Sequence, residues 1–197
     1  THLVLVPRFS QAYEDLPGFA FNHAIAQVQL GDKTLWLDST DDVCRFGLLP
    51  PGDAGREVLV IDNNVNALTP LPVSSAKDHK LTIDATVKMS DAPGPDAEVD
   101  LQADGIGYAD YLLRAAAQAS GKHPVLPLLG VQFTPTSGTF TPEHQQATAV
   151  DDLDQSFTWK SHGSWDGLIS RLPQSSTELL RLPAWIPQEW RVAALPR

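Results

Sequence analysis

Cysteine is almost absent from this chain of 197 residues, which carries only Cys44. A lone thiol excludes an internal disulfide framework and any zinc site built on several cysteines. Long apolar runs are also missing, and none approaches the roughly 20 residues that a membrane-spanning helix needs. The apolar fraction of 42% and the charged fraction of 19% are nevertheless typical of a globular protein rather than of a disordered one.

Positive charge is the second scarce property. The 14 lysine and arginine residues stand against 24 acidic residues, which gives a formal net charge of −10. Up to Pro70 there are 4 basic and 9 acidic residues, and beyond it 10 and 15, so neither part forms a basic arm. Because phosphate binding requires clustered lysine and arginine, nucleic acid is excluded as an expected partner.

Composition and turn signals divide the chain into three parts. We expect a first region over residues 1–66, a linker containing proline and serine over 67–80, and a second region over 81–197. The predicted fold class is α+β, mostly β. Antiparallel strands form the first region, and a β-sandwich-like domain with one inserted helix forms the second. Asp104 is predicted to cap the start of this helix, and Gly121 with Pro124 to end it. Beyond the helix we expect a loop over residues 133–142 and a strand over 147–159. The predicted first strand begins directly after Thr1, and no signal peptide precedes it. We therefore expect this chain to be a portion of a longer protein.

A β-hairpin is predicted over residues 23–40, around a two-residue turn at Gly31-Asp32. This turn fixes which residues lie opposite one another in the two strands. The predicted cross-strand pairs are Leu30–Lys33, Gln27–Trp36 and Ile25–Asp38.

Alternation along the hairpin strands sorts their side chains into two faces. The face that we expect to pack against the core carries Ala24, Ala26, Val28, Leu30, Leu35 and Leu37. The opposite face is expected to meet solvent and carries His23 and Asp38 as diagonal neighbours. Diagonal neighbours have Cα atoms roughly 7–8 Å apart, a gap that two polar side chains can span.

An imidazole beside a carboxylate has a specific chemical use. The carboxylate accepts one ring N–H, fixes the tautomer and leaves the other ring nitrogen as a base for a nucleophile. A solvated strand histidine followed by an aspartate that begins a turn would give the same spacing. The spacing alone leaves both interpretations open.

The run FNHAIAQVQLGDKTLWLDST, followed by FGLLPPGDAGREVLVID, resembles the bacterial transglutaminase-like proteins of the papain-like cysteine superfamily. The resemblance is most specific over residues 19–62, where His23 precedes an apolar strand and the sequence Trp36-Leu37-Asp38-Ser39-Thr40. It implies a truncated papain-like core followed by the β-rich domain that accompanies this core in one subgroup. Within that core His23 is implied as the general base and Asp38 as its orienting partner.

The resemblance also implies a function. The parent would be a cysteine enzyme that transfers the acyl group of an amide, by peptide hydrolysis, deamidation or cross-linking of glutamine to an amine. Its nucleophilic cysteine would precede His23 at a helix start, where the helix dipole favours a thiolate. Cys44 follows Asp38 and lies in a predicted loop, so it is interpreted as a packed thiol, and this portion alone is expected to be inactive.

Partners and location follow from the same resemblance. We expect a protein or peptide substrate, no cofactor, no metal and no membrane span, in an extracytoplasmic compartment of a bacterium. No prediction of subunit number follows.

Two other interpretations remain open. The hairpin is purely structural if the chain is a non-enzymatic module that binds a protein or glycan at the cell envelope, and the same holds for a degenerate core kept as a scaffold. Two histidines of the second region, His144 beside Glu143 and His162 near Asp166, have metal-binding chemistry. Spacing places no third ligand for either of them, so they are interpreted as surface residues.

Overall fold

The structure is a computed structural model that describes residues 1–8, 20–62, 67–90, 94–120, 139–167, 169–171 and 178–180. It confirms the predicted α+β, mostly β class, with antiparallel sheets and one α-helix. Within these ranges no helix combines the length and the apolar character that a bilayer crossing requires.

The chain divides into two compact units. The first unit contains Thr1–Lys80 together with Asp151–Asp154, and the second contains Leu81–Val150 together with Gln155–Arg197. The segment 67–80, predicted as a linker, contributes a short strand and the buried side chain of Leu71 to the first unit.

The first unit is built on a five-stranded antiparallel sheet. Its strands are β1 (His2–Val6), β2 (His23–Leu30), β3 (Lys33–Leu37), β4 (Glu57–Ile61) and β5 (Thr69–Pro70). They lie in the order β3-β2-β1-β4-β5, so that the predicted hairpin forms one edge. A 3₁₀ helix (Ala76–Asp78) follows β5.

The hairpin has the predicted register. Leu30 lies opposite Lys33 and Gln27 opposite Trp36. Gly31 adopts a φ of 57°, a positive value that both type I′ and type II′ turns require at the first central position. The ladder ends at Leu37, so Asp38 is the first residue beyond β3.

The prediction of which hairpin face is buried is wrong. On the face expected to pack, Leu30 is 59% exposed, whereas Ile25, on the face of His23, is 4% exposed. The reason lies in β1, because Val4 and Val6 pair with Ile25 and His23 and are themselves fully buried. Directly paired residues share a face, so the valines draw the His23 face towards the core.

The core of the first unit therefore lies on the same side of the sheet as His23. Its buried members are Val4, Val6, Ile25, Leu49, Val58 and Leu71, with Trp36 and Val60 packed against them. Leu49 belongs to the long connection between β3 and β4, which folds over this face. His23 consequently lies at the border of a packed surface and not on a fully solvated one.

The second unit is built on a four-stranded sheet and one helix. Its elements are β6 (Lys80–Met89), β7 (Ala97–Ile106), α1 (Tyr108–Ser120), β8 (Thr139–Ala147) and β9 (Thr158–Asp166), and a two-stranded ribbon of β10 (Ile169–Arg171) and β11 (Glu178–Leu180) follows. The sheet order is β6-β7-β9-β8. Leu113 and Ala117 of α1 belong to the same buried cluster as Val99, Trp159 and Trp165 of the sheet.

The start of the helix differs from the prediction. Asp104 lies within β7, where it accepts hydrogen bonds from Thr158 Oγ1 at 2.7 Å and Gln102 Nε2 at 2.7 Å, and the helix begins at Tyr108. Asp104 is therefore a cross-strand acceptor instead of an N-cap. The predicted helix end at Gly121 and Pro124 lies outside the described residues.

Candidate active site

His23 is the first residue of β2 and lies opposite Val6, the last residue of β1. The backbone N–H of the preceding residue, Asn22, donates to the carbonyl of Val6 at 3.2 Å and extends this pairing. The side chain of His23 is 13% exposed. The imidazole is thus held by strand geometry while part of its ring remains accessible.

Asp38 lies close to His23, as the hairpin register predicts. The Nε2 atom of His23 lies 2.9 Å from Oδ2 of Asp38. The other carboxylate oxygen, Oδ1, accepts hydrogen bonds from the backbone N–H of Thr40 at 2.9 Å and from its hydroxyl at 2.7 Å. Thr40 therefore fixes one oxygen of the carboxylate, and the imidazole of His23 binds the other.

These hydrogen bonds keep Asp38 ionised. Burial acts to raise the pKa of Asp38, but the hydrogen bonds from Thr40 and His23 outweigh it and lower the pKa from 3.8 to about 2. An ionised carboxylate can only accept a hydrogen bond, so Nε2 of His23 must carry the proton between them. In the neutral ring the lone pair then lies on Nδ1, which is the nitrogen able to act as a base.

Two residues that the sequence analysis did not predict complete the cluster. Arg8 donates from Nε to Oδ1 of Asp53 at 2.7 Å and from Nη2 to Oδ2 at 2.6 Å. The same Nη2 forms a short contact with Oδ2 of Asp38. The hydrogen bonds to Asp53, helped by both carboxylate charges, raise the pKa of Arg8 further above its usual range, although burial opposes this.

Asp53 is fully buried and lies in a turn of the connection between β3 and β4. Its backbone N–H donates to the carbonyl of Pro50 at 3.0 Å, and its carbonyl accepts the N–H of Arg56 at 3.1 Å. The local sequence indicates only a turn at this position, because Pro-Pro-Gly-Asp is typical of a surface loop. Arg8 and Asp53 are 45 residues apart, so no local periodicity connects them.

The donor atoms of His23, Asp38 and Asp53 lie within 4.8 Å of one another, a spacing that a metal ion could bridge. The guanidinium of Arg8 already bonds both carboxylates, so it supplies the positive charge that a divalent ion would bring. A metal ion would have to displace Arg8 from this position. The arrangement therefore fits an imidazole–carboxylate pair braced by arginine better than a metal centre.

Cys44 has the environment of a packed thiol. It is buried, and its Sγ donates to the carbonyl of Leu48 at 3.1 Å. Burial and then the charge of Asp41, with smaller contributions from Asp38 and Asp53, raise the pKa of the thiol to about 12. Because the thiolate is the reactive form, this environment suppresses nucleophilic attack by Cys44.

The neighbouring polar and aromatic residues have structural contacts. Asn22, which precedes His23, donates from Nδ2 to the carbonyl of Arg8 at 3.0 Å and so fixes the backbone there. Trp36 packs against the buried cluster of the first unit. The histidines His144 and His162 lie on the sheet of the second unit, where His162 bonds Asp100.

Comparisons with protein-family models, with curated proteins and with solved structures find no match to this chain. Function is therefore inferred from the geometry of the first unit and from the motif around His23 and Asp38.

Proposed function

We propose that this chain supplies the general base and its orienting carboxylate to a transglutaminase-like cysteine enzyme that transfers the acyl group of an amide. The observation that carries the proposal is the 2.9 Å contact between Nε2 of His23 and Oδ2 of Asp38. The sequence order, histidine on one strand and aspartate just beyond the next, is that of the motif this chain resembles.

The proposed reaction uses the two nitrogens of His23 in different ways. Nε2 stays bonded to Asp38, and Nδ1 takes the proton of a cysteine thiol. The thiolate attacks the amide carbonyl carbon, and the protonated imidazole returns the proton to the leaving amine as the C–N bond breaks. The thioester that remains is then released to water, which gives hydrolysis or deamidation, or to a second amine, which gives a cross-link.

The nucleophile of this proposal is a cysteine outside these 197 residues. Cys44 is buried, and its raised pKa leaves almost no thiolate near neutral pH. This chain alone is accordingly proposed to be inactive. The proposed substrate is a protein or peptide, met in the periplasm or cell envelope of a bacterium, as the resemblance implies.

Alkylation of the full-length natural protein with iodoacetamide tests this proposal. We expect one cysteine that precedes His23 in the chain to be modified rapidly near neutral pH, as peptide mapping by mass spectrometry will show. His23→Gln should slow this modification by about tenfold or more, because the thiolate loses its imidazole partner. The matched control His2→Gln changes a histidine on the neighbouring strand and should leave the rate unchanged.

A smaller effect is expected from Asp38→Asn, because the amide can still contact Nε2 but no longer stabilises a positive imidazole. An alkylation rate that is the same in the wild type and in His23→Gln would reject the proposed base. Incorporation of a fluorescent amine into a glutamine-containing protein then separates acyl transfer from hydrolysis.

A non-enzymatic scaffold or cell-envelope binding module is the second candidate. It is favoured by the burial of the cluster, since the side chains of Asp38 and Asp53 have no exposed surface and Arg8 joins them. In a scaffold these residues would only hold β1, β2 and the β3–β4 connection together. His23→Gln would then lower the midpoint of thermal unfolding without changing the reactivity of any cysteine.

A further inference from the structure

The open face of the four-stranded sheet in the second unit forms a polar groove of about 600 Å³. Val99, Leu101 and Ala103 of β7 point into the core, so the alternating residues between them point away from it. The polar and charged side chains on this open face include those of Asp100, Gln102, His144, Gln146, Lys160 and His162. Such side chains can bind polar or charged ligands.

Three of these side chains lie in one row across the sheet. His162 of β9 lies directly opposite His144 of β8 on one side and opposite Asp100 of β7 on the other. Directly opposite residues of antiparallel strands have Cβ atoms about 4.5–5.5 Å apart. The row therefore places two imidazoles side by side, with a carboxylate next to the central one.

A β-bulge brings His144 into this row. Pro142 pairs with Gly163 and His144 with His162, so Glu143 is an extra residue in β8. With regular pairing, Glu143 would lie opposite His162, and His144 would share the core face with the buried Ser161. The bulge thus redirects His144 to the groove.

Glycine at position 163 permits this bulge. A Cβ atom added to Gly163 would lie 2.2 Å from the carbonyl oxygen of Thr141, far inside the contact distance. The close backbone approach that the bulge requires is therefore restricted to glycine.

Asp100 holds His162 in the orientation of a metal ligand. Nδ1 of His162 lies 2.8 Å from Oδ1 of Asp100, so this nitrogen carries the proton and Nε2 keeps the lone pair. Ligating histidines bond a carboxylate in this way through their second nitrogen, which fixes the tautomer and raises the basicity of the ligating one.

We propose that His144 and His162 bind one divalent transition-metal ion of the zinc class in this groove. Imidazole nitrogen is a preferred ligand of zinc, copper and nickel, and oxygen from the adjacent Glu143 and from water suits the remaining positions. Asp100 acts through His162 as a positioning residue and does not contact the ion. The site is independent of the proposed acyl-transfer chemistry, because all of its residues lie in the second unit.

Binding requires a side-chain rotation. Among the described residues, three donor atoms already lie within 4.8 Å of one another only at His23, Asp38 and Asp53, where Arg8 supplies the positive charge. In the row of the second unit the proposal requires the exposed side chain of His144 to turn towards Nε2 of His162. Both histidines lie on the open face, so this rotation disturbs no buried contact.

Isothermal titration of the 197-residue chain with zinc chloride tests the proposal. We expect one ion per chain, and we expect His144→Gln or His162→Gln to remove this binding. Asp100→Asn should weaken it by about 10- to 100-fold, the usual effect of losing a carboxylate that holds a ligating histidine. The control His2→Gln, in the first unit, should bind zinc as the wild type does.

Imidazole resonances identify the ligands independently of affinity. Zinc should shift the ring signals of His144 and His162 and leave those of His23 unchanged. Dissociation constants equal in the wild type and in both glutamine variants would overturn the proposal, as would loss of binding in His23→Gln. Zinc binding weaker than about 1 mM to the wild type would overturn it as well.

Discussion

Arg8 and Asp53 form a bidentate ion pair, in which Nε and Nη2 of the guanidinium lie 2.7 and 2.6 Å from Oδ1 and Oδ2 of the carboxylate. Asp53 is completely buried, whereas the side chain of Arg8 is 21% exposed. A buried carboxylate is tolerated only when a cation and hydrogen bonds replace the water that it has lost. Arg8 meets this requirement and also bonds Asp38, so it connects the fold of the first unit to its candidate active site.

Arg8→Met should destabilise the first unit by about 3–5 kcal/mol, because it leaves the carboxylate of Asp53 buried without its cation. The indole N–H resonance of Trp36 reports on this unit during urea denaturation, since Trp36 packs against its buried cluster. The double variant Arg8→Met/Asp53→Leu should lose less stability than Arg8→Met alone. A loss in the double variant equal to the sum of the losses in Arg8→Met and in Asp53→Leu would show that the pair is not coupled.

The ionisation of Asp38 makes the stability of the first unit fall with pH in the acidic range. The pKa of Asp38 is lowered from 3.8 to about 2 on folding, so the unfolded chain binds more protons between these values. Its contribution is present above about pH 4 and is lost as the pH falls towards 2. We expect Asp38→Asn to flatten this part of the pH profile in thermal unfolding. Asp32→Asn, at the exposed hairpin turn, is the control and should leave the profile unchanged.

The sequence is sufficient to predict the hairpin because its determinants are local. Gly31 and Asp32 fix a two-residue turn, and a two-residue turn sets every pair that follows it, including Gln27 with Trp36. The proximity of His23 and Asp38 is a direct consequence of that register, and the structure places their side chains 2.9 Å apart. Local sequence rules thus specify both the hairpin and the proximity of His23 and Asp38 across its two strands.

The environment of this pair cannot be predicted in the same way, because it depends on distant segments. The apolar run of Ala24, Ala26 and Val28 suggests a core face, but β1 and the β3–β4 connection bury the opposite one. Arg8 precedes Asp38 by 30 residues and contacts it directly. Asp53 follows Asp38 by 15 residues and is joined to it through Arg8. Arg8 stands in no motif or periodic pattern, and Asp53 lies in the run that carries the resemblance but has no role assigned by it, so no sequence signal connects either one with Asp38.

Errors in the second region have a similar origin. The sequence pattern predicts a strand over residues 147–159, but the structure has strands on either side, with a connection over 148–157. The same pattern predicts a loop around Pro142, since proline usually interrupts strands. Pro142 is instead part of β8, which lies at the edge of its sheet and is bulged there.

Cys44 should be unreactive in the native chain. A thiol with a pKa of about 12 is ionised in roughly one molecule in ten thousand at pH 8. Ellman's reagent should therefore modify the native chain slowly and the chain in concentrated urea within seconds. Rapid modification without denaturant would contradict the buried hydrogen bond to Leu48 and would reopen Cys44 as a candidate nucleophile.

The second unit has a buried ion pair of its own. Arg114 of α1 and Asp110, one turn earlier, have no exposed side-chain surface, and their closest contact is 2.9 Å. Arg114 also donates to three backbone carbonyl oxygens of the β8–β9 connection, those of Ala149, Val150 and Gln155. Asp110 accepts the N–H of Phe157 at 2.5 Å. The pair therefore joins the helix to the connection that precedes β9.

Arg114→Leu should destabilise the second unit by about 3–5 kcal/mol, because it leaves a buried carboxylate without its cation and removes the Arg114 hydrogen bonds to three carbonyl groups. Asp110→Asn retains part of the hydrogen bonding and should cost less stability.

Lys88→Leu is the control. It removes a cation that is 81% exposed and pairs with Glu98 on the surface, so its effect on stability should stay within about 1 kcal/mol. Hydrogen exchange at β7 and β9 measures all three variants within this unit. An Arg114→Leu variant as stable as Lys88→Leu would show that α1 is held by its apolar contacts with Val99 and Trp159 and not by this pair.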